Sequence, residues 1–571
     1  MKSLEVLSIN ESKLKKNKLF IINALCVGFI NKSKANFVYS MLAFGVLITC
    51  IWSCGQIKNE NQKKVFHFNQ HNAVTSLDPA FCKSQANIWV VNQLYNSLVQ
   101  LDDSLNIKPC IAKSWHISND GLTYEFTLRN DVFFQDDNEV FPKGQHRKCI
   151  AADVVYAFNR IISADLSSPG SWVFKGKIDE KNPFSAPNDS TFILKLNKPF
   201  RPMLGILTMQ YCSIVAKEAV DYWGKDFRAH PVGTGPFYLK NWIQGQALFL
   251  KKNELYFEKD KNNIALPYLD GIRMSCISER KTAYLELITN KLDYLFGLES
   301  SYVNQLVTAK GELQPAQRER FNFNKSPYLN SEYIGFNTQQ NNAALMNKKV
   351  RQALNYALDR KSMLKALRNS VGVAANAGFV PKGLPSFDPS IVKGYYFDPD
   401  KARNLLAEAG YPNGKNMPEI NLLTSQDYLD LCTFIAHQWS EIGVNCKIDV
   451  MEAATLREMM SKGQAPMFRG SWLADYPDAE SFLGVFYSKN PSPPNYTRFN
   501  NPTFDKLYES ALQENDDKKR YAIYQQMDNL LIEEAPVVFL FYDEIASFSQ
   551  KKVLNFNNNP INLLSLKSVK M

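Results

Sequence analysis

Phe468-Arg469-Gly470-Ser471-Trp472-Leu473-Ala474-Asp475-Tyr476-Pro477-Asp478 is the stretch on which the reading of this chain turns. Apolar and small residues lead into it as a strand would, and Pro477 then enforces a turn. Arg469 and Asp475 stand six apart, with Trp472, Tyr476 and Pro477 between or beside them. A strand ending in such a turn exposes the group at a cleft. There Asp475 could pair with a ligand amine and Trp472 could pack on an apolar side chain. The competing reading is a surface turn with a core tryptophan and a structural ion pair. Asp478 reads as a turn residue.

Outward from this stretch, strands and helices intermix. Val65–Phe68 reads as a first strand. TYEFTL (123–128) and TFILKL (191–196) alternate apolar and polar residues, so each reads as a strand with one buried face. ADVVYAFNRII (152–162) repeats its apolar positions at three and four, as a helix does. From Val350, the residues Ala353, Leu354, Ala357, Leu358, Leu364 and Leu367 form a second helical stripe. In FDPDKARNLLAEAGYP, Asp398 can cap, Pro399 suits the first helical position, and Gly410 and Pro412 close the helix. Strands are predicted at 419–424, 445–450 and 537–542, and helices near 502–514 and 518–534. The class is α/β with a mixed sheet. No internal repeat or long low-complexity linker is visible.

The charge of the chain is unevenly placed. The net is +10 over 571 residues, and residues 1–53 alone hold seven Lys and two Glu. Half of the excess therefore sits in a leader, where a targeting segment would carry it. No charge occurs between Lys34 and Lys58. That run could span a bilayer, but it ends in Ile51-Trp52-Ser53-Cys54-Gly55, which resembles a bacterial lipobox. The reading is cleavage before Cys54, lipid on Cys54, and a polar tether at 54–64. A retained membrane anchor and ordinary secretion are the alternatives.

The searches for chemistry return absences. There is no P-loop, no H-E-x-x-H and no G-x-S-x-G. His67 and His71 are four apart but fall on a predicted strand and its exit, so no metal is expected. Beyond Cys54 there are seven cysteines at wide spacing and no C-x-x-C, so they are read as small hydrophobes. Basic residues are scattered, which argues against nucleic acid. No nucleophile has a plausible base. The chain reads as a binder, not an enzyme, with no cofactor.

Several blocks then carry a resemblance: SLDP (76–79), YNSLVQLD (95–102), ADVVYAF (152–158), VGTGPFYLKNW (232–242), VRQALNYALDRKSML (350–364), ARNLLAEAGYPNG (402–414) and WLADYPDAESFL (472–483). In this order they resemble the bacterial extracellular solute-binding proteins of the peptide/nickel class (family 5), and within them the oligopeptide-binding lipoproteins of ABC importers. The resemblance covers nearly all of residues 65–545. It implies a two-lobed, periplasmic-binding-protein-like α/β fold (type II) with mixed sheets and an inserted subdomain. Lobe I would comprise 65–95, 201–320 and 536–571, with the subdomain at 96–200, and lobe II would comprise 321–535. Two or three crossing strands would form the hinge.

The resemblance also implies roles. Asp475 would pair with a peptide's N-terminal ammonium, and Arg469 and Trp472 would line the cleft. Tyr542, at the end of the last strand, is expected to reach it as well. The implied function is a monomeric, lipid-anchored receptor in the cell envelope or periplasm, delivering peptides to separate ABC permease and ATPase chains for transmembrane transport. The same fold could instead serve a nickel chelate, haem, an oligosaccharide or an opine.

Overall fold

The computed structural model describes residues 63–571 apart from 298, 300, 301, 340 and 341. The leader (1–53), Cys54 and all but the end of the tether lie outside the described residues.

Two long strands organise the main sheet. Phe321–Phe336 has 16 residues and Val537–Gln550 has 14. They pair antiparallel in two blocks. Phe321–Pro327 runs against Gln550–Glu544, and Ser331–Gly335 runs against Tyr542–Val537, with a register shift between Pro327 and Ser331. Beside the first block stand Tyr294–Phe296, Val65–Gln70, Gly271–Cys276, Ala247–Lys252 and Phe237–Ile243. Beside the second stand Met467–Leu473, Ile420–Ser425 and Cys446–Met451. Parallel and antiparallel pairs are mixed on both sides. One sheet thus serves two lobes, and the two long strands cross between them.

A separate antiparallel sheet is ordered Ala112–Ile117, Thr123–Leu128, Thr191–Lys195, Phe184–Asn188. Its predicted alternation holds: Tyr124, Phe126 and Leu128 are buried, as are Phe192 and Leu194. Helix Ala151–Ile162 buries Val154, Phe158 and Ile161 against it, and the Phe158 and Phe192 rings meet edge to face with centroids 5.5 Å apart.

The crossing strand Val537–Gln550 separates two layers of core. Val537 and Phe539 join the core on one face, which includes Phe379 and Phe482. Val538 and Leu540 join the core on the other, with Leu354 and Trp439. A register shift opposite Glu332 and Tyr333 then breaks the alternation. Phe541 stays with the second core, and Tyr542 falls back to the first. The strand continues eight residues past the predicted end, through Asp543 and Glu544 to Gln550. Both carboxylates are partnered there, Asp543 by Arg368 and Glu544 by the Gly372 amide at 2.8 Å.

Local capping follows the sequence. The Asp398 carboxylate accepts from the Lys401 amide at 2.9 Å, Pro399 opens the helix, and Gly410 takes φ +93°. The seven described cysteines are unbridged, and five of them are buried.

Arg360 fixes a helix onto the crossing strand. Its guanidinium is fully enclosed and donates to the carbonyls of Phe539 (2.6 Å), Asn355 (3.1 Å) and Leu358 (3.2 Å), and to the Asn355 side-chain oxygen at 3.1 Å. Burial lowers it to about 10. Removing it strands buried acceptors, so Arg360→Ala is expected to cost about 3 kcal/mol of stability in urea unfolding. A loss below about 1 kcal/mol would show that these acceptors find other partners.

Candidate functional site

The strand Met467–Leu473 delivers the loop that carries Asp475. It pairs with the crossing strand, Leu473 opposite Asn330 and Trp472 opposite Ser331. The ladder ends one residue later, where the Ala474 amide donates to the Leu329 carbonyl at 2.8 Å. The turn is then tied by side chains. Trp472 Nε1 donates to the Ser481 carbonyl at 2.6 Å, and the Asp475 amide donates to Ser481 Oγ at 3.3 Å. Asp478 Oδ1 accepts from the Glu480 amide at 3.0 Å and from the Tyr524 hydroxyl at 2.9 Å, and its carboxylate pairs with Arg520. Asp478 is therefore more than a turn residue, because it clamps the turn to helix Asp517–Glu534.

Tyr476 turns toward lobe I. Its ring belongs to the lobe I core and lies 6.5 Å from the Trp172 ring. Its hydroxyl donates to Glu480, as does that of Tyr508. Burial holds the Glu480 carboxyl above its ordinary value. Asp475 sits between these features with its side chain open to cleft water. It is nevertheless enclosed by protein on most sides. Desolvation, and then the Glu480 charge, push its carboxyl up to about 6.

Asp475 lines a cavity of about 460 Å³. Lys83, Trp89, Thr208 and Gln210 form one part of the wall, and Leu473 to Asp475 form another. A third wall comes from the C-terminal stretch, through Asn559, Ile561, Asn562, Leu563, Ser565, Lys567 and Ser568. That stretch is anchored by Trp89 Nε1 donating to the Asn562 carbonyl at 2.6 Å, and by Asn92 and Gln93 donating to the Leu564 carbonyl at 2.7 and 2.8 Å. The size suits a small organic ligand.

The other expected site residues do not line this cavity. Arg469 is buried, paired with Glu332 and stacked on the Tyr428 ring. Glu332 also accepts from Asn330 Nδ2 at 2.8 Å. Trp472 is half-buried over the short helix Glu480–Leu483. Tyr542 is buried, its hydroxyl donating to the Gly378 carbonyl at 2.8 Å and accepting from the Ala377 amide at 3.2 Å. Cys54 lies outside the described residues. Sequence reasoning missed Glu332 and the C-terminal wall, whose partners are distant along the chain, and Glu480, which accepts from the Tyr476 and Tyr508 hydroxyls. Among the described residues, no group of three or more His, Cys, Asp or Glu could hold a metal ion.

Comparison with known proteins agrees with this architecture. The family described as bacterial extracellular solute-binding proteins, family 5 Middle, matches residues 106–494. Heme-binding protein A of Haemophilus influenzae is 31% identical over 464 residues, 78% of this chain and 80% of its own. The glutathione-binding protein GsiB of Salmonella typhimurium is 28% identical over 84% of this chain and 90% of its own. Among solved structures, the periplasmic binding protein DppA of Helicobacter pylori, in complex with the peptide STSA, superposes with a TM-score of 0.74 at 26% identity. It covers 90% of this chain and 99% of its own. HbpA2 of Haemophilus parasuis superposes at 0.75 and 26% identity, over 89% and 99%. The chain therefore belongs to the family 5 bacterial extracellular solute-binding proteins.

Proposed function

We propose that this chain is an extracytoplasmic, lipid-anchored receptor that binds peptides between its lobes and delivers them to an ABC permease. The observation that carries this reading is Asp475, a carboxylate lining the interlobe cavity with no partner for its side chain among the described residues. An enclosed anion without a counter-charge is costly, and a ligand ammonium relieves that cost. Relatives named for glutathione and for a bound peptide support the peptide class. A relative named for haem favours the second reading, the same fold serving another solute.

Native mass spectrometry of the lipid-free protein separates the two, since mixed peptides support the first reading and one defined non-peptide mass supports the second. In titration calorimetry, acetylating the amine of a bound peptide, or Asp475→Asn, is expected to weaken binding by about tenfold or more. Unchanged affinity in both would sink the amine role.

Acid should act through the same group. As pH falls through about 6, Asp475 takes up a proton and the ammonium loses its partner. Affinity for an amine ligand should be flat between pH 7 and 6.5 and fall below 6, and Asp475→Asn should remove that slope.

The anchor has its own test. The mass of the membrane-purified protein should match residues 54 onward with acyl chains on Cys54, whereas a mass that still includes residues 1–53 would favour a retained hydrophobic segment.

A further inference from the structure

Part of the main sheet has an outer face that the rest of the fold leaves open. Strands Val65–Gln70, Gly271–Cys276, Ala247–Lys252 and Phe237–Ile243 bury one face in the core, through Phe66, Ile272, Leu248 and Phe237. Residues of the opposite face align in two rows across the strands. Val65, Gly271, Lys251 and Tyr238 are register partners in the first row, and His67, Arg273, Phe249 and Asn241 in the second. Lys251, Arg273 and Asn241 are exposed, and Tyr238 and Phe249 are half-buried. The Lys251 ammonium lies 5.9 Å from the centre of the Tyr238 ring, and the Arg273 guanidinium lies 5.8 Å from that of Phe249. Farther along the same sheet the outer face is covered, because helices Arg280–Ile288 and Val303–Leu306 pack over Leu295 and Phe548.

The open part is positively charged. Lys63 and Lys64 are exposed and lead directly into Val65, at the end of the first row. Lys240 is also exposed, as the extra residue where the register shifts between Leu239 and Asn241. Lys63, Lys64, Lys240, Lys251 and Arg273 have no ion pair among the described residues. Asp270, beside Gly271, is the counter-charge at this margin, and one of its oxygens accepts from the Lys64 amide at 2.8 Å. The excess remains positive, and it rests on aromatic rings.

The length of the tether says what meets this face. Cys54 precedes Lys64 by ten residues. Ten residues reach at most about 36 Å. A fold of roughly 500 residues is about 60 Å across. A lipid on Cys54 therefore cannot pass round to the far side of the molecule, and the surface at the root of the tether is the one held against the bilayer. We propose that this cation–aromatic sheet face docks on the anionic headgroups of the membrane that holds the lipid, so that the receptor lies on the bilayer in one orientation. Anionic headgroups attract Lys and Arg within a Debye length of the surface. Half-buried aromatic rings suit the headgroup level. None of these residues lines the Asp475 cavity, so docking leaves the cavity wall untouched.

The proposal rests on the lipid at Cys54, and the experiment separates their failures. The lipidated protein is reconstituted in phosphatidylcholine vesicles with or without phosphatidylglycerol. Its lysines are then labelled with an amine-reactive ester and mapped by mass spectrometry. Labelling of Lys240 and Lys251 is expected to fall about threefold or more on the anionic vesicles and to return at high salt. Lys447, on the strand at the opposite edge of the sheet, should label equally throughout. Lys251→Gln combined with Arg273→Gln should remove the protection of Lys240 and leave the melting temperature unchanged. Equal labelling on both vesicle types, with the protein floating with both, overturns the docking face alone, as does protection that persists in the double variant. Protection that requires a co-reconstituted permease assigns the face to a protein partner and overturns the membrane assignment. A protein without acyl chains on Cys54 that fails to float with neutral vesicles overturns the anchor reading and this proposal with it.

Discussion

The interruption in pairing between Pro327 and Ser331 is the constraint on which this structure depends. A sheet shared by two lobes resists bending wherever its ladder is complete, since each strained bond would expose a polar group. Here the two crossing strands lose register at one level, and the ends of the ladder flank that gap. Leu329 sits within it, fully buried. Its amide donates to the Pro560 carbonyl and its carbonyl accepts from the Ala474 amide, each at 2.8 Å. The loop that carries Asp475 and the C-terminal wall are thus fastened to the same residue of the crossing. A pivot at this level would move both walls of the cavity together.

Three largely buried arginines are matched by largely buried aspartates or glutamates. Arg520 meets Asp478, Arg469 meets Glu332, and Arg160 meets Asp78, all between well-buried partners. Buried pairs of this kind contribute little net stability but are costly to break. They hold side chains in fixed places, whereas the Asp475 side chain in the cavity has no such partner among the described residues. Glu480 sharpens this, because its buried carboxylate beside Asp475 makes the empty site less favourable than an isolated aspartate would be.

Much of this was readable in the sequence. Helix Pro399–Glu408 announced itself through Asp398, Pro399 and Gly410, and the strand at 123–128 through its alternation. Local chemistry determines such features. The turn after Leu473 is legible for the same reason, through Pro477. What remained hidden depends on partners far along the chain. Arg469 reads as a cleft cation until Glu332, 137 residues earlier, is placed against it. Tyr542 reads as a cleft residue at the end of the last strand, but a bulge beside it turns its hydroxyl to Ala377 and Gly378 instead. The same strand was read as ending before Asp543 because two acids interrupt its apolar run, yet both are matched by groups from another segment.

The C-terminal wall has a consequence for how the molecule forms. Phe556, Leu564, Leu566 and Val569 belong to the same core as Phe66 and Trp89, and the Phe66 and Phe556 rings lie 6.2 Å apart. The first described strand therefore cannot finish its core until the last residues of the chain arrive. Contacts that span nearly the whole chain close slowly, because the loop they close is long. The core around Phe66 and Trp89 therefore stays incomplete until residues 556–569 have docked on it. The cavity is consequently the last part of the molecule to exist, and ligand capture is postponed until the fold is complete.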